Sequence, residues 1–164
     1  MKKTFLIIFA LFAAVTAKAQ WCIGGSLDGA FFESHNTLSI SPDFGYTFEN
    51  VPIGVGLSPE FCFGQDKLSG ESFTLEKIVL SPYIRYYCCD VEHLSFFVDL
   101  SGDVNVYGEQ GFDVGFSPGV SLDLTEHWSA EFSYGWIGYE QFDEKGFSVQ
   151  MDASTTKLSF YYNF

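Results

Sequence analysis

The sequence predicts an all-β protein, an eight-stranded antiparallel up-and-down transmembrane β-barrel. Three observations carry this prediction. Apolar and polar residues alternate along eight segments, which is the two-residue period of a β-strand. One face of these segments has no charged residue, whereas the other has eleven. The final stretch, Leu158–Phe164, keeps the same alternation and ends on an aromatic residue.

The N-terminus has the pattern of a secretory signal peptide. Met1-Lys2-Lys3 is basic, the run from Thr4 to Thr16 is apolar, and Ala17-Lys18-Ala19 fits a small-x-small cleavage site. A membrane-anchor helix is the alternative, but the run is short for a span of about 20 residues. We therefore expect a signal peptide at residues 1–19 and one outer-membrane β-barrel domain at residues 20–164.

The composition of the exported chain is acidic and aromatic. Without the three lysines of the signal peptide, five basic residues face 21 acidic ones, a formal net charge of −16. This charge disfavours nucleic-acid binding, because nothing offsets phosphate repulsion. Aromatic residues make up 19% of the sequence, and glycine is also frequent, with 16 residues. An exported chain of this kind without helical periodicity indicates β structure.

The strands and their connections follow from the alternation. Seven predicted strands have approximate bounds of 22–32, 37–48, 53–63, 74–87, 94–107, 112–124 and 128–139, and the eighth runs from after residue 153 to the C-terminus. The signal peptide and the even strand count place the turns at 49–52, 88–93 and 125–127 in the periplasm. The loops at 33–36, 64–73, 108–111 and 140–153 are then extracellular.

Bulk decides which face of the strands points inward. An eight-stranded barrel has an interior just wide enough for side chains. The apolar face, with its many Phe, Tyr, Trp and Pro residues, would crowd that interior, whereas the Gly, Ser and Asp face fits it. We therefore expect the apolar face to contact lipid and the polar face to line the lumen, the reverse of a soluble barrel.

Aromatic residues near the strand ends are expected to form two interfacial girdles. The periplasmic girdle would contain Trp21, Phe48, Tyr86, Trp128 and Phe164, and the outer one Phe31, Phe63, Phe112 and Trp136. Prolines in mid-strand oppose regular pairing, since proline has no N–H to donate. We expect bulges or missing hydrogen bonds at Pro42, Pro59, Pro82 and Pro118.

The charged residues of the predicted lumen must pair or be neutralised. They are Asp28, Asp43, Glu60, Lys77, Arg85, Asp99, Asp103, Asp113, Asp123, Glu131 and Lys157. We expect Arg85 to neutralise the acids, with Asp43, Glu60, Asp99 or Asp103 as possible partners. This network predicts a polar plug, and a narrow cation-selective path is the alternative.

Catalytic and metal-binding patterns are weak. A lipid-modifying enzyme would need a His with Ser and an acid at the outer side, and only His35, beside Ser34, lies there. Neighbours in a strand point to opposite faces, so we expect no catalytic site. The spacing of Cys22, Cys62, Cys88 and Cys89 supports no metal site. We expect free thiols, and a disulfide from Cys22 to Cys88 or Cys89 only if the rim brings them together.

At the family level, the chain resembles the small outer-membrane β-barrels that include the OmpA transmembrane domain and OmpX. The resemblance covers residues 20–164 and rests on the strand pattern, on Tyr46-Thr47-Phe48 and Ile53-Gly54-Val55-Gly56, and on the C-terminus. There, Leu158, Phe160, Tyr162 and Phe164 resemble the assembly signal of such barrels. The resemblance implies an integral protein of the bacterial outer membrane, monomeric and without cofactors. Its partners would be outer-membrane lipid, lipopolysaccharide and, during biogenesis, the barrel assembly machinery.

The expected role is non-enzymatic, in envelope integrity or in surface interaction through acidic loops. The acids of those loops are Glu71, Glu76, Glu109, Glu140, Asp143 and Glu144, which would bind divalent cations or keep the loops solvated. A narrow pore and a lipid A-modifying enzyme are the alternatives.

Overall fold

A computed structural model of the chain describes residues 19–31, 35–66, 72–108, 111–141, 145–151 and 156–164. The strands are β1 (Ala19–Phe31), β2 (His35–Phe48), β3 (Ile53–Asp66), β4 (Thr74–Val91), β5 (Leu94–Tyr107), β6 (Phe112–Asp123), β7 (Trp128–Ser133), β8 (Trp136–Gln141), β9 (Lys145–Gln150) and β10 (Lys157–Asn163). The described residues contain no helix long and apolar enough to cross a membrane. The predicted signal peptide lies outside them except for Ala19, which begins β1.

The strands form a closed antiparallel barrel with eight walls. Each of β1 to β5 pairs with the next strand in the chain, and β6 pairs with both β7 and β8. The seventh wall is β7 followed by β8, and the eighth is β9 followed by β10. Strand β10 also pairs with β1, and the amide of Phe164 donates to the carbonyl of Trp21 at 2.9 Å. The predicted eight-walled barrel fold is confirmed.

The two faces of the wall have opposite character. Apolar side chains point outward and remain exposed, as at Ile84, Phe116 and Phe160, which are 51–52% exposed. Charged side chains are buried inside, with Asp43 only 2% and Arg85 only 6% exposed. The inverted arrangement predicted from the sequence is therefore present in the described strands. It follows from bulk, because the small polar face fits an eight-stranded interior.

The turn side of the barrel is the end that carries the turns and both ends of the described chain, and the loop side is the opposite end. Aromatic rings cluster at the turn side. On each side of the β1–β10 seam, three outward rings stack edge to face with centroids 4.9–5.3 Å apart. These two groups are Trp21 with Tyr46 and Phe48, and Trp128 with Tyr162 and Phe164. The predicted periplasmic girdle contains four of these residues.

The predicted seventh strand, 128–139, is wrong in its second half. It is interrupted after Ser133, where Gly135 has φ +85°. The pairing of β6 shifts by one residue at this point, since Gly119 pairs with Ser133 but Phe116 with Ile137. The alternation therefore changes phase. Trp136, predicted to lie outward in the outer girdle, points into the lumen instead.

Two predicted connections are also wrong in part. The segment predicted as a loop at 140–153 contains β9, which extends the barrel wall in a hairpin with β8. The connection predicted at 88–93 shortens to Glu92 and His93, because β4 continues to Val91. A β-bulge between Tyr87 and Cys89 leaves Cys88 as an extra residue in β4. Such a bulge lets the strand continue past an irregular pair.

Candidate functional site in the barrel lumen

The described lumen contains two cavities, one on each side of a central layer of side chains. The loop-side cavity has a volume of about 560 Å³ and the turn-side cavity about 890 Å³. Serines from all eight walls line the loop-side cavity: Ser26, Ser41, Ser58, Ser81, Ser101, Ser117, Ser133 and Ser159. Glu131 lines both cavities, so it lies at the boundary between them.

Arg85 occupies this boundary and makes the described ion pairs of the lumen. Its Nε and Nη2 donate to the two carboxylate oxygens of Asp99, at 2.8 and 2.9 Å. Its Nη1 donates to Oε1 of Glu131 at 2.6 Å. The bidentate contact uses the fixed fork of the guanidinium, which is the geometry of the stronger charge-assisted hydrogen bonds. Arg85 therefore joins β4 to its neighbour β5 and to the non-adjacent β7.

Aromatic side chains complete the layer around the guanidinium. The ring centroid of Phe97 lies 3.8 Å from the Cζ of Arg85, within the range of a cation–π contact. The ring centroid of Tyr83 lies 5.4 Å from the same atom, and the hydroxyl of Tyr83 donates to Oδ1 of Asp43 at 2.8 Å. Tyr161 is also buried, at 3% exposure. We call this layer the central plug: Asp43, Tyr83, Arg85, Phe97, Asp99, Glu131 and Tyr161.

Each large side chain of the central plug faces a glycine on the neighbouring strand. The register partners of Tyr83 and Arg85 are Gly56 and Gly54, and those of Phe97 and Tyr161 are Gly119 and Gly24. At Gly24, Gly56 and Gly119, a Cβ atom would overlap the ring opposite. These glycines therefore leave the space that the plug fills, which a narrow eight-stranded lumen would not otherwise have.

The partners of Arg85 differ in part from the four expected carboxylates. Asp99 is one of the four and is the direct register partner of Arg85, whereas Glu131 is not among the four. Asp43 accepts from Tyr83 rather than from Arg85. Glu60 accepts from the thiol of Cys62, at 3.2 Å. The difference arises because closure of the barrel brings β7 towards β4 across the lumen.

The other predicted lumen charges are spread along the barrel. Lys157, Asp103 and Asp113 line the loop-side cavity, where the amide of Asp103 donates to Oδ1 of Asp113 at 3.4 Å. Asp123 lines the turn-side cavity, at an exposed position. Lys77 is half-buried in β4. The side chain of Asp28 lies outside the described part of the structure.

Two acids assigned to loops lie in strands instead. Glu76 is an exposed residue of β4, and Glu140 is in β8, where it lines the loop-side cavity. Glu140 accepts a hydrogen bond from Nε2 of Gln150 at 2.6 Å. The prediction that both belong to surface loops is therefore wrong, and Glu76 lies within the strand predicted at 74–87. The remaining loop acids, Glu71, Glu109, Asp143 and Glu144, lie outside the described residues.

Sequence reasoning missed the aromatic part of the plug. The alternation puts Tyr83, Phe97 and Tyr161 on the polar face, but it predicts no role for them. Their signal was available, since each is a bulky residue on a face of small ones. The position of Trp136 had no such signal, because its direction depends on the strand break at Gly135.

The remaining candidates assemble no further site. Cys22, Cys62, Cys88 and Cys89 are all free thiols. Among the residues that the structure describes, no three of His, Cys, Asp and Glu are placed to hold a metal ion together. His35 begins β2 opposite Asp66, while Ser34 lies outside the described segments. The side chains of this pair, which we expect to form no catalytic site, therefore lie outside the described part of the structure.

Comparison with known proteins relates the chain to solved structures rather than to a sequence family. No family model matches the sequence. No curated protein matches it. The fold is similar to that of the Yersinia pestis outer membrane protein Ail, whose backbone structure was determined in a phospholipid bilayer nanodisc. The match has a TM-score of 0.51 at 14% sequence identity, and covers 90% of this chain and 100% of Ail. The chain therefore has the fold of the small eight-stranded outer-membrane β-barrels, the fold that its sequence resemblance implied.

Proposed function

We propose that this chain is an integral outer-membrane barrel protein with a plugged lumen, which acts without catalysis in envelope integrity or surface interaction. The observation that carries the proposal is the ion-paired position of Arg85 between the two cavities. A charged group that is buried and hydrogen-bonded on three of its nitrogens supports a filled, rigid interior. The working surface of the protein would then be its rim and outer wall.

The outer wall supports insertion into a bilayer. Its exposed side chains include many Leu, Ile, Val and Phe residues, and aromatic clusters lie at the turn side. Soluble monomers rarely expose apolar patches of more than a few hundred Å². We propose outer-membrane lipid and lipopolysaccharide as partners of this wall. The barrel assembly machinery would bind the C-terminal strand with Leu158, Phe160, Tyr162 and Phe164.

The first test is electrophoretic mobility of the mature chain refolded in detergent, together with far-UV circular dichroism. We expect a compact, SDS-resistant band that shifts on boiling, and a β spectrum. A chain that stays soluble without detergent and shows no shift would contradict insertion.

The second test separates the plug from a pore. Purified protein is inserted into planar bilayers, and ionic current is recorded in symmetric KCl. The central plug predicts no steady conductance in the wild type. Steady cation-selective steps would instead support the alternative of a narrow cation path, which the acids Asp103, Asp113 and Glu140 of the loop-side cavity favour.

The enzyme alternative has a separate test. The wild type and His35→Ala are incubated with lipid A, and the products are compared by mass spectrometry. We expect no modified lipid A with either protein. A product that the wild type makes and His35→Ala does not would contradict the non-catalytic proposal.

A further inference from the structure

Prolines interrupt the barrel wall at defined points. Strands β2 and β3 pair in regular register at Ile40 with Phe61 and again at Phe44 with Leu57. The three positions between these pairs, 41–43 and 58–60, have no ladder pairing, although the register is the same on both sides. In that register Pro42 faces Pro59. Neither residue has an N–H, so this pair can exchange no ladder hydrogen bond.

The other two mid-strand prolines also lie at interruptions. Between β4 and β5, pairing is regular at Leu80 and at Tyr83 but absent at Ser81 and Pro82. Pro118 lies where β6 changes its partner from β7 to β8. The gap between β2 and β3 differs from these, because it has proline on both strands.

The side chains behind this gap are polar and belong to the loop-side cavity. Ser41, Asp43 and Ser58 are each at least 92% buried, and all three line that cavity. The hydroxyl of Ser58 donates to the carbonyl of Pro42 at 3.4 Å, a long replacement for the missing ladder bond.

We propose that the segment formed by residues 41–43 and 58–60, the β2–β3 seam, is the point at which the barrel wall opens locally in the native state. Backbone pairs flanking the seam lack cooperative neighbours on one side, so they separate more readily than pairs in a continuous ladder. Opening frees the backbone amides that flank the seam to exchange their hydrogens, while the rest of the wall stays closed. This inference rests on the barrel fold and is independent of the proposed surface role.

The test is amide hydrogen exchange, measured residue by residue by NMR on the refolded chain in phospholipid nanodiscs. We expect the amides of the flanking residues Ile40, Phe44, Leu57 and Phe61 to exchange at least tenfold faster than those of Gly24 and Ser26. These two residues of β1 pair with Asp43 and Ser41 in the unbroken β1–β2 ladder, at the same level of the wall. Equal protection of the two groups in the wild type would overturn the proposal.

The second part of the test restores the backbone N–H donors that the prolines lack. Pro42→Val and Pro59→Val return one N–H each and place a strand-favouring side chain on the lipid-facing side. We expect the double variant to slow exchange of the flanking amides about tenfold, the single variants to lie between, and β1–β2 amides to stay unchanged. Pro52→Val, in the turn before β3, is the control and leaves the flanking amides as they are. If the double variant folds and its flanking amides exchange at the wild-type rate, the proposal is also overturned. If the double variant does not fold, the comparison of the two groups of amides in the wild type decides the proposal.

Discussion

Arg85 on β4 and Glu131 on β7 meet across the barrel lumen, with Nη1 of the guanidinium 2.6 Å from Oε1 of the carboxylate. The strands are not neighbours, and 46 positions separate the residues in the chain. This contact ties two walls through the interior, in addition to the ladders that join adjacent strands. It also closes the layer between the two cavities.

Removal of Arg85 should destabilise the barrel strongly. Arg85→Met leaves Asp99 and Glu131 buried without their cation, which costs about 3–5 kcal/mol in the free energy of unfolding. Urea unfolding in phospholipid vesicles, followed by tryptophan fluorescence, measures this loss at neutral pH.

Two further variants provide comparisons for the stability loss of Arg85→Met. Glu131→Gln keeps an oxygen that accepts from Arg85 and should lose less stability than Arg85→Met. Asp123→Asn, at an exposed position on the turn side, should stay within about 0.5 kcal/mol of the wild type. If Arg85→Met unfolds at the wild-type urea concentration, the ion pairs do not stabilise the barrel.

A side chain at Gly56 should destabilise the barrel. A methyl group at this position would overlap the ring of Tyr83 and disturb its hydrogen bond to Asp43. We expect Gly56→Ala to lower the free energy of unfolding by about 1–3 kcal/mol, the usual cost of overpacking. Gly146→Ala is the matched control, because no atom lies within 4 Å of the new methyl group. Equal stability of the two variants would show that Tyr83 is not held tightly against β3.

The strand break depends on the backbone of Gly135. Its φ of +85° lies in the left-handed region, where an L-residue costs about 1–2 kcal/mol. Gly135→Ala should therefore destabilise the barrel by about this amount in urea unfolding. Gly102→Ala, at a strand position with only ordinary contacts, should be neutral or slightly stabilising. A stable Gly135→Ala would mean that β7 and β8 continue as one regular strand.

Tryptophan quenching distinguishes the two faces of the wall. Three variants that each keep one of Trp21, Trp128 and Trp136, with Phe at the other two positions, are refolded into vesicles of brominated lipid. Trp21 and Trp128 are about half exposed on the outer wall and should be quenched by the acyl chains. Trp136 lines the lumen and should keep its emission. Strong quenching of Trp136 would place it in the outer girdle that alternation alone predicts.

Alternation and bulk were sufficient for the class of fold and for the direction of most side chains. The period of two assigns each residue to a face, and the narrow interior of eight strands selects the small polar face for the lumen. Contacts between side chains on adjacent strands can be predicted almost as directly. Arg85 and Asp99 are direct partners in a hairpin with a short turn, so their pairing follows once the register of β4 and β5 is known.

Closure of the barrel and the backbone dihedral of one glycine decided the contacts across the lumen and the direction of Trp136. Glu131 reaches Arg85 only because the sheet curls until β10 pairs with β1, which brings β7 across from β4. The alternating pattern runs on through Tyr134 and Trp136, but one glycine with positive φ shifts its phase and turns Trp136 inward. Sequence periodicity records which face a residue takes relative to its neighbours. It does not record where the chain breaks that period, or which walls meet across the lumen, because those depend on the closed three-dimensional sheet.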